Sequence, residues 1–138
     1  MSKERAKGRE WERKVALWLT EHGVEAKRYE STCDPRGDLE LELPMVVECK
    51  DVGAFSPGVW RGQAAKSVAW LQGRIAPDHY VVIAKQRGKA SPADAHAIVP
   101  MPFLAELLRV WGLYAEGVIP GTMQPLTRRE LNPYRVDL

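Results

Sequence analysis

The sequence predicts an α/β fold in which a mixed β-sheet is flanked by helices. Between residues 5 and 22, apolar side chains recur at the spacing of one helix face. Residues 39–43 alternate strictly between leucine and glutamate, which is the period of a half-buried strand. Residues 80–84 are continuously apolar, as in a strand that is covered on both faces. Helical and strand-like segments therefore alternate along the chain, as in layered α/β proteins.

The length of 138 residues suits a single domain with one core. The chain is 45% hydrophobic and 28% charged, which is typical of a globular fold. No apolar run approaches the roughly 20 residues of a membrane span, and the basic N-terminus lacks the apolar segment of a signal peptide. Two cysteines, Cys33 and Cys49, are too few for a disulfide framework or a zinc site. We therefore expect a cytoplasmic protein without membrane contacts, in which oxygen atoms would hold any metal.

The first helix is predicted over residues 5–22 and ends at Gly23. Its apolar stripe consists of Trp11, Val15, Trp18, Leu19 and His22. Glu12 lies at the edge of this stripe, whereas Glu10 lies on the opposite, polar side. Burial of an unpaired charge is costly, so Glu12 needs a partner. That partner is either a metal ion or, more commonly in proteins, a basic side chain.

Three strands are predicted next, over residues 24–29, 39–43 and 45–50. Pro44 interrupts the pattern, and a tight connection there makes the second and third strands antiparallel neighbours. Asp38, at the start of the second strand, then lies beside Glu48 and Lys50 at the end of the third. Side chains two positions apart on a strand share a face. Two carboxylates and an ammonium group therefore converge at one sheet edge, while Cys49 turns away.

Two interpretations of this acidic edge remain open. Hard cations such as Mg²⁺ take oxygen ligands from one or two carboxylates together with substrate phosphates. The alternative is a hairpin exposed to water, since Glu40 and Glu42 already give the second strand a polar face.

The remaining elements are a second helix over residues 58–73, a buried strand over 79–85, a short strand over 95–99 and a third helix over 104–111. One face of the second helix carries Trp60, Gln63, Ser67 and Trp70. On that face Gln63 is either a hydrogen-bonded core amide or a group that reaches the carboxylates. Residues 127–130 fit a capping box that opens a short helical turn.

The net charge of +2 does not by itself indicate a nucleic-acid partner. The distribution of charge is more informative, because six basic side chains crowd the first helix: Lys3, Arg5, Lys7, Arg9, Arg13 and Lys14. Such a patch is the expected footprint of a phosphate backbone. Interleaved glutamates make an ordinary solvated helix the alternative.

Three segments together resemble the PD-(D/E)xK nuclease superfamily, namely KGREWER at 7–13, RGD at 36–38 and ECK at 48–50. Within it, the chain looks most like the archaeal-type Holliday junction resolvases, over about residues 5–85. Gly37 stands where proline commonly precedes the aspartate, and Cys49 replaces an aliphatic residue. The resemblance implies a restriction-endonuclease-like nuclease core in one nuclease domain, 1–138, with its core at about 5–111 and a C-terminal extension at 112–138.

The resemblance also assigns roles at the acidic edge. Asp38, Glu48 and the main-chain carbonyl of Cys49 would bind Mg²⁺ or Mn²⁺, and Glu12 would complete or support this metal site. Lys50 would orient the attacking water or stabilise charge on phosphorus, and Gln63 would position Lys50 or that water. The expected catalytic residues are thus Glu12, Asp38, Glu48, Lys50 and Gln63.

The implied partner is DNA, held by the basic or polar side chains of Lys7, Arg9, Arg13, Arg28, Ser31, Arg36, Arg61 and Lys66. The implied activity is a structure-selective endonuclease that resolves four-way junctions as a homodimer, without a small-molecule cofactor. Trp60, Trp70, Trp111 and the tail are candidates for the dimer interface, although the tryptophans are equally compatible with a core. The alternatives are a nicking, flap or exonucleolytic DNase of the same superfamily and a non-catalytic DNA-binding protein with this fold.

Overall fold

A computed structural model of the protein describes residues 2–30, 34–51, 53–71 and 73–115. The chain divides into two compact units, the first ending at Pro100 and the second beginning at Met101. The elements of the first unit are α1 (Lys3–Glu21), β1 (Ala26–Arg28), β2 (Leu39–Leu41), β3 (Val46–Lys50), α2 (Pro57–Trp70), β4 (Tyr80–Ala84) and β5 (His96–Ile98). A single 3-10 turn over Pro92–Asp94 precedes β5. The described part of the second unit is α3 (Met101–Ala115). The single nuclease domain over 1–138 stays a prediction.

The five strands form one sheet in the order β1-β2-β3-β4-β5. β3 and β4 run parallel, and every other neighbouring pair is antiparallel. A parallel pair needs a long crossover, which α2 provides between β3 and β4. This arrangement confirms the predicted α/β class with a mixed sheet.

The two faces of the sheet are covered by different helices. α1 packs its residues Trp11, Val15 and Ala16 on the face formed by Leu39, Val47, Cys49 and Val81. α2 packs its residues Trp60, Ala64 and Val68 on the face formed by Val46, Tyr80, Val82 and Ala84. Consecutive residues of β3 alternate between these clusters, as strand geometry requires. The end of β3 therefore lies between two cores, with α1 on one side and α2 on the other.

Several element boundaries differ from the sequence-based prediction. β1 and β2 are only three residues long, and residues 42–45 connect β2 to β3 in place of a tight turn at Pro44. Within this connection the Met45 N–H donates to the Leu43 carbonyl at 2.8 Å. α3 extends beyond the predicted helix at both ends, because Pro102 is tolerated in a first helical turn and Gly112 does not end the helix. Ser31, the predicted turn at 127–130 and the tail from residue 116 lie outside the described residues.

Among the described helices, none has the length and apolar composition that crossing a membrane requires.

Candidate functional site

Asp38 and Glu48 face each other across the β2–β3 pair. Leu39 pairs with Val47 in this antiparallel ladder, so one step along each strand sets Asp38 opposite Glu48. Directly opposed residues place their side chains on the same face of a sheet. Glu48 is buried, with only 8% of its surface exposed. The sequence prediction that these two carboxyl groups come together is therefore met by the fold.

The proximity of the two acids changes the protonation of Asp38. Burial, followed by the negative charge of Glu48, raises the pKa of Asp38 to about 7. A hydrogen bond between the two carboxyl groups acts in the same direction. The Cys49 N–H and the charge of Lys50 oppose this rise in the pKa of Asp38. Near neutral pH Asp38 is therefore only partly ionised, because its buried position beside Glu48 disfavours a second negative charge.

Backbone contacts fix the Asp38 side chain against β3. The Cys49 N–H donates to Oδ2 of Asp38 at 2.7 Å, and the Asp38 N–H donates to the Val47 carbonyl at 2.8 Å. The preceding Gly37 has φ of +110°, and a Cβ there would lie 3.0 Å from the Val46 Cγ1 atom and from the Val47 carbonyl oxygen. A glycine at position 37 is therefore required for the chain to approach β3 closely enough to place Asp38.

Ser67 of α2 holds Glu48 from the other side. Its hydroxyl donates to Oε1 of Glu48 at 3.2 Å, and both residues are buried. In the sequence, Ser67 shares the predicted face of Trp60, but no pattern there indicated a function for it. Gln63 was the predicted catalytic residue on this helix, and Gln63 is exposed. The expectation of Gln63 as a core amide is wrong, and its predicted catalytic role stays a prediction.

Lys50 shares the face of Glu48, since the two lie two positions apart on β3. The Lys50 carbonyl accepts from the Lys85 N–H on the β4 side at 2.8 Å. Backbone groups alternate in direction along a strand, so Cys49 directs its N–H and carbonyl toward β2, where Asp38 lies. The predicted main-chain ligand therefore points to the side of the acidic pair. The Cys49 thiol packs in the α1-side core, where burial raises its pKa.

Glu12 reaches the same region from α1 and is paired with a base. The Arg28 Nε donates to Oε2 of Glu12 at 2.8 Å. Burial raises the pKa of Glu12, the bond to Arg28 lowers it, and the negative charge of Asp38 raises it further. Electrostatic coupling to Asp38 thus connects Glu12 to the acidic pair. Glu10, by contrast, is exposed and bound to Arg13 at 2.7 Å, as its predicted position on the polar side required.

Arg28 and Ser31 are two of the positions predicted to contact DNA. Arg28 lies at the site, but its guanidinium is engaged by Glu12. Ser31 lies outside the described residues.

The other predicted DNA contacts are spread over several surfaces. Arg36 binds Asp34 at 2.8 Å and covers the Tyr29 ring at 4.3 Å. Arg61 donates from Nε to the Tyr80 hydroxyl at 3.1 Å. Arg13 is bound to Glu10, and Lys7 is bound to Asp51. Arg9 is half-buried on α1, and Lys66 is exposed on α2. Most of these cations are thus already paired with protein groups, and they lie on elements that include both α1 and α2, which cover opposite faces of the sheet.

The donor set at the acidic pair fits a hard divalent cation. Within the described residues, no group of three or more His, Cys, Asp or Glu side chains is arranged to hold a metal ion. Mg²⁺, however, is usually bound by only one or two carboxylates, with water or substrate oxygens in its other positions. Asp38 and Glu48 supply that number. Burial and then the negative charge of Glu48 raise the pKa of Asp38, and a bound cation would offset the second of these effects.

Taken together, the described residues offer two adjacent carboxylates, a main-chain carbonyl and the ammonium of Lys50 at the end of one strand. This arrangement can hold a hard cation beside a positive charge, which suits a phosphate ester. Comparison of the chain with protein-family models, curated proteins and solved structures gives no match.

Proposed function

We propose that the protein is a metal-dependent, structure-selective DNA endonuclease that resolves four-way junctions by phosphodiester hydrolysis. The observation that carries this proposal is the position of Asp38 opposite Glu48, with Lys50 on the same face of β3. This juxtaposition joins the second and third segments of the PD-(D/E)xK resemblance in space. The mixed sheet, with α1 and α2 on its two faces, is compatible with such a nuclease core.

In this proposal, the carboxylates of Asp38 and Glu48 and the carbonyl of Cys49 hold Mg²⁺ or Mn²⁺. When bound, such an ion polarises a phosphodiester and makes water more acidic. Glu12 supports the site from α1, where the Arg28 Nε donates to its Oε2 atom and fixes the side chain. The bonds from the Cys49 N–H to Asp38 and from Ser67 to Glu48 set the orientation of the two carboxylates.

Lys50 supplies positive charge next to the acidic pair. Its charge acts on Asp38 by lowering that group's pKa, so the ammonium lies close enough to influence the reacting region. In the proposed reaction it stabilises the negative charge that grows on the phosphate oxygens. A fixed ammonium does this without the solvent reorganisation that the same charge would need in water.

The choice of a branched substrate follows from the kind of contacts that the chain offers. Lysine and arginine contacts to phosphates fix the register of DNA but do not read its bases. Selectivity would then depend on DNA shape and on the spacing of two active sites in a two-fold dimer. Trp60 is buried in the α2-side core, whereas Trp70 and Trp111 are exposed and stay candidates for the dimer contact.

The direct test offers the protein four DNA substrates of equal length in Mg²⁺: a four-way junction, a flap, a linear duplex and a single strand. We expect symmetry-related cuts in the junction and none of these cuts in excess chelator. Asp38→Asn should abolish cutting while circular dichroism shows an unchanged fold. Robust cutting in chelator would refute the metal-dependent mechanism. Equal degradation of linear duplex from its ends would favour an exonuclease over a resolvase.

A further inference from the structure

A second charged cluster lies just beyond the end of β3, on the α1 side of the sheet. The Asp51 side chain is only 7% exposed, and each of its oxygens meets a lysine. Oδ1 lies 3.3 Å from the Lys7 Nζ atom, and Oδ2 lies 3.5 Å from the Lys85 Nζ atom. Asp51 therefore links α1 to the segment that follows β4. Asp51 directly follows the predicted strand over 45–50, and no sequence pattern indicated a function for it.

The two lysines of this cluster differ in exposure. Lys85 is 25% exposed, and its ammonium lies 5.9 Å from the centre of the Trp11 ring. Lys7 is 57% exposed. One carboxylate thus faces two ammonium groups, which leaves the cluster with one net positive charge (2 − 1). Lys7 is therefore the member of the cluster that solvent reaches most easily.

A cavity of about 350 Å³ lies beside this cluster, at the end of β3. Lys7 and Asp51 line one part of it, and Cys49 and Lys50 line another. Its volume lies at the lower end of the range for small-ligand sites in proteins. The carboxylate of Glu4 also borders it, on the exposed side of α1. Two lysines from different elements therefore border one cavity, and a nearly buried carboxylate holds one of them in place.

We infer that this cavity binds one DNA phosphate next to the phosphate that is cut, through the ammonium group of Lys7. Asp51 is then a positioning residue that holds Lys7 at the cavity. The identity of the ligand as DNA rests on the proposed function. A lysine acts on phosphate as a point charge, and its free side chain carries about 2 kcal/mol of rotamer entropy. Because the bond to Asp51 already restricts Lys7, less of this entropy is lost when the phosphate binds.

The test measures binding in excess chelator, so that cutting is not required. A series of junctions carries one neutral methylphosphonate linkage at successive positions near the cleavage site. We expect one position at which neutralisation weakens binding of the unaltered protein. Lys7→Gln should weaken binding to normal DNA, lower the salt-dependence slope by about one and lose sensitivity at that position. Lys27→Gln is the matched control, because Lys27 is an exposed lysine that also pairs with a carboxylate, Glu40.

Asp51→Asn separates positioning from folding. It keeps the size of the side chain but weakens the attraction to Lys7. We expect Asp51→Asn to reduce the sensitivity of binding to the methylphosphonate at that one position. Lys85→Gln, which removes the other partner of Asp51, shows how much of this reduction comes from a change in the fold. A lower melting temperature with a normal position-specific effect would mean that Asp51 is structural and would overturn its positioning role. Lys7→Gln does not depend on this outcome, because Lys7 is exposed and its replacement leaves the core intact.

The two proposals fail in different ways. A protein that cuts junctions but shows no position-specific loss would overturn the phosphate subsite alone. A protein that binds no DNA at all would overturn the subsite together with the proposed function.

Discussion

Ser67 donates its hydroxyl hydrogen to Oε1 of Glu48 across 3.2 Å, and this bond joins α2 to the acidic end of β3. Both residues are buried, so water does not readily replace the bond. A carboxylate in such a setting depends on its protein donors. Ser67 therefore affects both the stability of the fold and the orientation of a proposed metal ligand.

Ser67→Ala should lower the free energy of unfolding by about 1–3 kcal/mol, because it leaves a buried carboxylate oxygen without its donor. It should also slow DNA cutting, since Glu48 is less firmly held. Gln63→Ala is the control on the same helix, and its exposed position predicts a stability change within about 0.5 kcal/mol. Urea unfolding and cleavage rates measure the two effects. If Gln63→Ala stops cutting and Ser67→Ala does not, the catalytic role predicted for Gln63 from the sequence is right.

The pH dependence of stability provides the second prediction. The folded-state pKa of Asp38 is about 7, against an ordinary value of 3.8. Between these values the folded state holds a proton that the unfolded state has lost. The contribution of Asp38 to the free energy of unfolding should therefore be greatest below pH 4. It should fall as the pH rises to 7, by at most about 1.4 kcal/mol per pH unit.

Asp38→Asn isolates this contribution, because asparagine resembles the protonated acid and does not titrate. In chelator, the variant should lose less stability than the unaltered protein between pH 4 and pH 7. Parallel unfolding free energies for the two proteins across this range would show that Asp38 titrates normally.

Glu12 and Glu10 allow a matched comparison on one helix. Glu12 is paired with Arg28 and coupled to Asp38, whereas Glu10 is exposed and paired with Arg13. Glu12→Gln should nearly abolish cutting, because it removes a charge at the acidic site and weakens the hold on Arg28. Glu10→Gln should change the rate little. Equal cleavage rates in the two variants would mean that Glu12 has no part in the site.

Much of the acidic site could be predicted from local patterns. The alternation of residues 39–43 and the apolar run after Pro44 indicate two neighbouring strands, and strand geometry then brings Asp38, Glu48 and Lys50 together. Helix periodicity likewise distinguished Glu12 from Glu10. These relationships depend on short stretches of chain, so the sequence expresses them directly.

The contacts that the sequence analysis missed depend on packing between distant elements. Around the axis of α2, with 100° per residue, the buried positions 60, 64, 67 and 68 define the centre of the buried face. Ser67 lies about 45° from this centre and Gln63 about 85° from it, at the margin of the face. The helix face predicted from the sequence contained both Gln63 and Ser67, and only the packing of α2 against the sheet decides which of the two is buried. The same holds for Asp51, whose partners Lys7 and Lys85 are far apart along the chain.

Gly37, which precedes Asp38, can be compared with Gly88 to test whether the chain beside the acidic site leaves room for a side chain. Both have positive φ, of +110° and +77°, which costs other residues roughly 1–2 kcal/mol. A Cβ at position 88 would meet nothing within 4 Å, whereas one at position 37 would press on Val46 and Val47. Gly37→Ala should therefore destabilise the protein more than Gly88→Ala in urea unfolding. Equal losses of stability would show that β3 accommodates the added methyl group.

The last prediction links metal binding to protonation. Ligand carboxylates must be deprotonated, so metal affinity depends on pH. Asp38, with a pKa of about 7, is largely protonated at pH 5.5 and largely ionised at pH 8. Mg²⁺ should therefore raise the melting temperature at pH 8 and have much less effect at pH 5.5. A ligand present at 100 times its dissociation constant stabilises a protein by about 2.7 kcal/mol.

Ca²⁺ should stabilise the protein at pH 8 without supporting cutting, since it occupies oxygen sites with looser geometry. Asp38→Asn should remove the Mg²⁺ effect at pH 8, whereas Glu10→Gln should retain it. A shift of equal size at both pH values, or one that survives in Asp38→Asn, would place the cation away from the acidic pair.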